Sequence, residues 1–183
     1  MVTIHTTETA PQDSRSSLAA AAKQFGFVPD ALARMAESPA LVEAFGLGNR
    51  AFSRTGFTAL EREVIIMVIA RDVGCDVCEA IHLSVLQSVD GESVGRAILR
   101  RQPLEDARLG ALARFTSRVL ETRGAADDDD LTAFFAAGWT PQSALEVVVG
   151  VGTYTLSTFA NRMTRARIDP AFRTARESVT EST

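Results

Sequence analysis

Seven consecutive apolar residues, at positions 64–70, define the central element of this chain. They follow Thr58, which forms a capping-box pattern with Glu61, and they precede Gly74, a residue type that commonly ends helices. A helix that is apolar on every side has to be covered by other elements on every side. Elsewhere the apolar residues recur at helical spacing, and strand-like alternation is nearly absent. The sequence therefore predicts an all-α fold with a buried central helix.

The chain is long enough for one compact domain and too short to require two, since it has 183 residues and 46% of them are hydrophobic. We expect a flexible tail over residues 1–13, a single helical-bundle domain over residues 14–168 and a C-terminal tail over residues 169–183. Nine helices are predicted, over residues 14–24, 30–38, 39–53, 58–73, 75–88, 90–101, 105–123, 131–137 and 141–165. Predicted helix caps are Ser38, Thr58, Asp90 and Thr140, and predicted stops are Gly26, Gly74 and Gly124.

The charge pattern argues against a nucleic acid or an anionic membrane as the main partner. The formal net charge is -4 at pH 7, and the 19 basic residues are scattered. The acidic run at residues 127–130 is interpreted as a helix entry or a solvated loop. No apolar stretch is long enough for a signal peptide or a membrane span. We therefore expect a soluble cytoplasmic protein, in which closely spaced cysteines are more often redox-active or metal-binding than structural.

Two cysteines and a histidine share one face of a predicted helix. Cys75, Cys78 and His82 are three and seven residues apart, and these spacings bring side chains back to the same side. Gly74 places Cys75 at the start of this helix, where free N–H groups favour a thiolate and lower a thiol pKa from about 8.5. The helix end by itself therefore favours Cys75 as the more activated thiol. The pattern indicates a dithiol redox site.

Other interpretations of these residues remain open at this point. The thiols could be small hydrophobic groups of the core, and Cys75, Cys78, His82 and Glu63 could together bind zinc, although adjacent positions on one helix surround a tetrahedral ion poorly. Glu63 could be a solvated residue of the first helical turn. It could equally lie at the edge of the buried face and exchange protons with a neighbour.

The arrangement of Glu63, Cys75-x-x-Cys78 and His82 resembles the signature of the alkylhydroperoxidase D branch of the carboxymuconolactone decarboxylase family. The resemblance extends over most of residues 25–165. It includes residues 27–32, Ser38-Pro39, the approach to the site at residues 56–63, and the closing helix within residues 134–162, which carries Asn161 near its end.

The resemblance implies an all-helical subunit that assembles as a homo-trimer or homo-hexamer and reduces hydroperoxides without a cofactor. It implies that Cys78 attacks the peroxide, that Cys75 resolves the product, and that Glu63 and His82 relay protons. A dithiol such as a dihydrolipoyl protein would restore the thiols. Val77 stands where family members commonly carry a histidine or an aromatic residue, so the substrate stays open. The alternatives are a lyase of the carboxymuconolactone decarboxylase type, whose chemistry does not need two thiols, and a non-catalytic oligomeric protein that binds a metal or takes part in redox reactions.

Overall fold

The computed structural model describes residues 2–173, and within that range it contains α-helices, one short 3-10 helix and no β-strand. The predicted all-α fold class is confirmed. The 3-10 helix is Gln12–Ser14, and the α-helices are α1 (Arg15–Phe25), α2 (Asp30–Met35), α3 (Pro39–Phe52), α4 (Ala59–Val73), α5 (Asp76–Gln87), α6 (Glu92–Leu99), α7 (Ala107–Glu121), α8 (Asp128–Ala136) and α9 (Pro141–Thr164). Within the described range no helix combines the length and hydropathy needed to cross a membrane.

Helix α4 is the buried centre of the bundle, as the sequence predicts. It packs against α5, α6, α7 and α9, and none of residues 64–70 is more than 3% exposed. The Thr58 hydroxyl accepts the N–H of Glu61, and the Glu61 carboxylate accepts the N–H of Thr58, so the predicted capping box is present. The helix ends at Gly74, whose φ of 72° lies in the left-handed region that glycine adopts without steric cost.

Helix α9 approaches α3 and α4 closely enough to exclude a side chain at Gly150. A Cβ atom built there would lie 2.8 Å from the Phe52 ring and 2.9 Å from Ile65. Thr140 caps the helix as predicted, and Pro141 occupies its first position. This close packing carries the C-terminal turns of α9 to the start of α5.

The predicted cap at Asp90 is wrong. Asp90 has a φ of 54°, and the residue before α6 is Gly91, which makes no side-chain cap. The reason is the packing of the turn, because a Cβ atom at Gly91 would lie 2.5 Å from the side chain of Leu86 and 2.6 Å from that of Leu60. Of the two interpretations of the acidic run, the helix entry is confirmed. Asp127 caps α8 and forms a capping box with Asp130.

The predicted N-terminal tail contacts α2 through His5. The N–H of His5 donates to the carbonyl of Ala33 over 3.1 Å, Ala10 is 1% exposed, and the Ser14 hydroxyl donates to the carbonyl of Ala36 over 2.9 Å. Packing therefore extends to the N-terminal side of the expected domain boundary. Of the expected C-terminal tail, residues 174–183 lie outside the described residues.

Candidate active site

The corner between α4 and α5 places both cysteines. After Gly74 the chain reverses, and the N–H of Cys75 donates to the carbonyl of Ala70 over 2.8 Å. Cys75 is the N-cap of α5, and its sulfur accepts the N–H of Cys78 over 3.4 Å. The two sulfurs form a disulfide, with their Cα atoms 5.3 Å apart. The predicted helix start is confirmed, and both sulfurs lie where the positive end of the helix dipole acts.

The disulfide is covered by a layer of aliphatic side chains. Cys75 is 2% exposed and Cys78 is 5% exposed. Ala31 of α2 packs against them, and so do Ala166 and Ile168 of the segment that follows α9. A reductant therefore has to displace part of this layer before it can reach a sulfur atom.

Glu63 and His82 form a hydrogen-bonded pair across the α4–α5 contact. The Nδ1 atom of His82 lies 2.8 Å from Oε2 of Glu63, and the two side chains are 16% and 12% exposed. This arrangement favours the partly buried interpretation of Glu63. A carboxylate at Nδ1 holds the proton on that nitrogen and leaves Nε2 to accept or donate a proton elsewhere. The structure thus pairs Cys75 with Cys78 and Glu63 with His82, and it places His82 one helical turn after Cys78. The catalytic roles of these residues stay predictions.

Two further site residues come from α9 and were not predicted as such. The side chain of Asn161 is 5% exposed, and its Nδ2 donates to the sulfur of Cys78 over 3.4 Å. The Tyr154 ring packs edge-on against the His82 ring, with their centroids 5.5 Å apart. Their signal in the sequence is their spacing, because Tyr154 and Asn161 are seven residues apart and therefore lie on the same side of α9.

Tyr154 contacts the His82 ring through its own ring, while its hydroxyl group bonds to another residue. Burial raises the pKa of Tyr154 well above its ordinary value, and the negative charge of Glu63 raises it further, while Arg62 acts in the opposite direction. The hydroxyl therefore stays protonated and donates to Oδ1 of Asn49 over 2.9 Å. The ring is held between α3 and α5, where it limits the rotation of His82.

The disulfide also bears on the zinc interpretation. Among residues 2–173 no group of three or more His, Cys, Asp or Glu side chains is arranged to hold a metal ion. Zinc binds cysteine as thiolate, and in this state the sulfurs of Cys75 and Cys78 are bonded to each other.

No protein-family model matches the sequence, and no curated protein matches it. Solved structures do match. A peroxidase-related protein with the alkylhydroperoxidase AhpD core from Ralstonia eutropha JMP134 superposes with a TM-score of 0.82 at 20% identity, covering 93% of this chain and 92% of its own. A peroxidase-related protein from Silicibacter sp. TM1040 gives a TM-score of 0.76 at 17% identity, covering 89% of this chain and 88% of its own.

The debrominase Bmp8 is similar to the same extent. A variant of it in complex with 2,3,4-tribromopyrrole gives a TM-score of 0.81 at 16% identity, covering 98% of this chain and 97% of its own. Structural similarity at this low sequence identity establishes the fold and leaves the reaction open. The resemblance predicted from the cysteine motif is confirmed at this level: the chain has the fold of the alkylhydroperoxidase AhpD core.

Proposed function

We propose that the chain is a thiol-dependent peroxidase that reduces hydroperoxides through a dithiol–disulfide cycle of Cys75 and Cys78. One observation carries the proposal. A disulfide lies at the start of α5, and His82, one turn after Cys78 on the same helix, is hydrogen-bonded to Glu63 of α4. Two thiols that reach each other and a positioned proton carrier are the groups that this chemistry requires.

In the first half of the cycle the reduced Cys78 thiolate attacks the distal oxygen of the hydroperoxide. A sulfur–oxygen bond forms, the oxygen–oxygen bond breaks, and the electron pair leaves with the proximal oxygen as an alkoxide. Protonated His82 supplies the proton that turns this alkoxide into an alcohol, and Glu63 stabilises the imidazolium. We assign the attack to Cys78 because it precedes His82 by one turn.

In the second half the Cys75 thiolate attacks the sulfenic acid of Cys78. The product is the disulfide, and water leaves. A dithiol such as a dihydrolipoyl protein then exchanges with this disulfide and carries away two electrons as its own disulfide. The cycle balances as one hydroperoxide and one dithiol giving an alcohol, water and an oxidised dithiol.

The proposal is tested by measuring the mass and free thiols of the reduced protein before and after one equivalent of cumene hydroperoxide, with a chelator present. Loss of both thiols, reversed by dihydrolipoamide, supports the cycle. Cys78→Ser should abolish peroxide consumption, and Cys75→Ser should leave a sulfenic acid on Cys78 that a dimedone probe captures. Full activity in either variant contradicts the mechanism.

Because Bmp8 is a debrominase of the same fold, a brominated compound is the alternative oxidant for the same experiment. Replacing cumene hydroperoxide with a brominated pyrrole asks whether the thiols react with a carbon–bromine bond instead. If the thiols react with the pyrrole and not with the peroxide, the result would favour debrominase activity over peroxidase activity. Thiols that respond to neither would favour the lyase or the non-catalytic alternative.

We also propose that the subunit assembles with copies of itself, as a trimer or a hexamer. The support is a set of large apolar side chains that α9 exposes to solvent, here called the α9 stripe: Leu145, Val148, Val149, Leu156, Phe159 and Met163. At helical spacing they lie within an arc of about 100° and extend over about 27 Å. An exposed apolar surface of this size indicates a protein interface.

A further inference from the structure

Beside the sulfur of Cys78, Asn161 carries a buried hydrogen-bond acceptor that has no partner among residues 2–173. Its Nδ2 donates to that sulfur, while its Oδ1 is buried and accepts no hydrogen bond from the described residues. A buried polar atom without a partner is unfavourable, so its presence in a folded protein calls for an explanation. The unpartnered atom belongs to the amide group that touches the sulfur.

Two neighbouring hydroxyl groups of α9, those of Ser157 and Thr158, are satisfied within the helix, whereas the buried Thr155 hydroxyl, like Oδ1 of Asn161, has no partner among the described residues. The Thr158 hydroxyl donates to the carbonyl of Thr155 over 3.2 Å, and the Ser157 hydroxyl donates to the carbonyl of Tyr154 over 3.1 Å. Asn161 differs from them because its amide extends across to α5. Its hydrogen-bonding capacity is therefore directed at the site and not at its own helix.

We propose that Asn161 contacts both reactants: Nδ2 holds the Cys78 sulfur as thiolate, and Oδ1 accepts the O–H of the hydroperoxide. This inference rests on the proposed function, since it assigns a substrate contact within the same site. An amide bound through its N–H to the sulfur keeps its oxygen close to that sulfur, where the distal oxygen of a peroxide has to arrive. The site therefore favours oxidants whose attacked oxygen carries a hydrogen atom that can be donated to Oδ1.

The atoms of the reaction fit this arrangement. The distal oxygen carries its proton before the attack and keeps it afterwards, because the electron pair and the incoming proton both go to the proximal oxygen. The hydroxyl that reaches the sulfur becomes the sulfenic acid of Cys78, so sulfur is oxidised by two electrons and the peroxide is reduced by two. Oδ1 therefore meets the same O–H donor in the bound hydroperoxide and in the sulfenic acid.

The Nδ2 contact is tested without any peroxide. In a Cys75→Ser background Cys78 is the single thiol, and serine still caps α5. The rate of alkylation by iodoacetamide as a function of pH then reports the thiolate fraction. We expect Asn161→Leu to lower that fraction about tenfold at pH 7, because it removes a hydrogen bond to a charged sulfur. Asn161→Asp should lower it as well, because a carboxylate repels the thiolate.

The Oδ1 contact is tested by the rate of sulfenic acid formation with cumene hydroperoxide, measured at a pH where Cys78 is fully ionised in every variant. We expect Asn161→Leu to react about tenfold more slowly, because it has no acceptor. Asn161→Asp keeps an acceptor oxygen and should retain most of the rate. Thr158→Val is the matched control, since it removes a buried hydroxyl of the same face that bonds within α9.

The outcomes separate the two contacts of Asn161 from the proposed function. Asn161 variants with the control's alkylation profile and peroxide rate would overturn the inference. An altered alkylation profile in proteins that never react with peroxide, the unsubstituted chain included, would refute the proposed function and the Oδ1 contact and support the Nδ2 contact. If the Asn161 variants do not fold, the parent Cys75→Ser protein decides, because an ordinary thiol profile at Cys78 overturns the Nδ2 contact.

Discussion

The site depends on how single side chains are held. His82 is fixed on two sides, by the carboxylate of Glu63 at Nδ1 and by the ring of Tyr154. A histidine held in this way presents Nε2 in one orientation, and proton transfer is efficient only in a narrow geometry. In the proposed cycle, a histidine held in this way would supply the proton of the leaving oxygen without first changing its rotamer.

Replacing His82 with glutamine should reduce peroxide turnover without unfolding the protein. We expect kcat/KM for cumene hydroperoxide to fall about 100-fold, which is at the lower end of the usual effect of general acid catalysis. The measurement is peroxide consumption with the dithiol in excess. Ser84→Ala is the control on the same helix, because the Ser84 hydroxyl bonds the carbonyl of Ile81 within α5. A His82→Gln rate within twofold of the control would contradict the assignment.

Asp72 should make the stability of the bundle depend on pH. Burial acts to raise the pKa of Asp72, but hydrogen bonds from Arg71 and Ser117 outweigh it and hold the pKa below its ordinary value. A carboxyl group whose pKa is lower in the folded state stabilises the fold above its unfolded-state pKa of about 3.9, and that contribution is lost as the pH falls through the folded-state pKa.

We therefore expect Asp72→Asn to lower the free energy of unfolding by about 1–2 kcal/mol at pH 7. The difference between variant and parent should shrink in acid, where Asp72 is protonated. Urea unfolding at pH 7 and below the folded-state pKa measures both values. A difference that stays constant across this pH range would show that the ionised carboxylate contributes nothing.

At the scale of elements, a short segment after α9, residues 166–169, here called the strap, packs against the cluster that contains the disulfide. The N–H of Arg167 donates to Oδ2 of Asp30 over 2.7 Å, and the N–H of Asp30 donates to Oδ2 of Asp169 over 3.2 Å. Ala166 and Ile168 thereby stay packed on the cysteines. The strap and α2 have to separate locally before a reductant reaches either sulfur.

Asp30→Ala should accelerate reduction of the disulfide, because it removes the carboxylate that accepts both the Arg167 N–H and the Arg34 guanidinium. Charge-assisted hydrogen bonds contribute about 1.5–3 kcal/mol, so we expect at least about a tenfold faster reaction with dithiothreitol. Thiol trapping in the absence of peroxide follows the rate. Glu43→Ala, at an exposed position of α3, is the control, and equal rates for the two variants would show that the strap does not limit access.

The features that could be predicted from the sequence are those that depend on residues close together in the chain. The capping box at Thr58, the stop at Gly74 and the helix start at Cys75 depend on residues within one or two turns, and all three are present. The cap at Asp90 failed because packing of Leu86 and Leu60 decides that turn. Asn161 was missed as a site residue because its contact with Cys78 joins positions 83 residues apart, and no spacing rule predicts which polar residue of α9 reaches the cysteines.

At the scale of the whole molecule, α9 has two apolar faces. One covers the core and the site, with Val147, Tyr154 and Asn161 buried. The α9 stripe is on the opposite face, where Leu145 is 71% exposed, Phe159 59% and Met163 80%. Apolar residues on both faces are typical of a buried helix. In this bundle nothing among residues 2–173 buries the second face.

Replacing Phe159 in the α9 stripe with glutamate should therefore dissociate the assembly. We expect the parent chain to migrate as a trimer or hexamer in size-exclusion chromatography with light scattering, and Phe159→Glu to migrate as a monomer. Burying a phenylalanine side chain contributes about 1.5–3 kcal/mol, and a charge in its place adds the cost of desolvation at every copy of the interface.

Ala20→Glu places the same charge at an exposed position of α1 and should leave the assembly intact. Since Phe159 faces away from Asn161 and the cysteines, the monomeric variant should keep the alkylation profile of Cys78. A parent chain that is monomeric at micromolar concentration, or a Phe159→Glu variant that still assembles, would show that the α9 stripe is not the interface between copies.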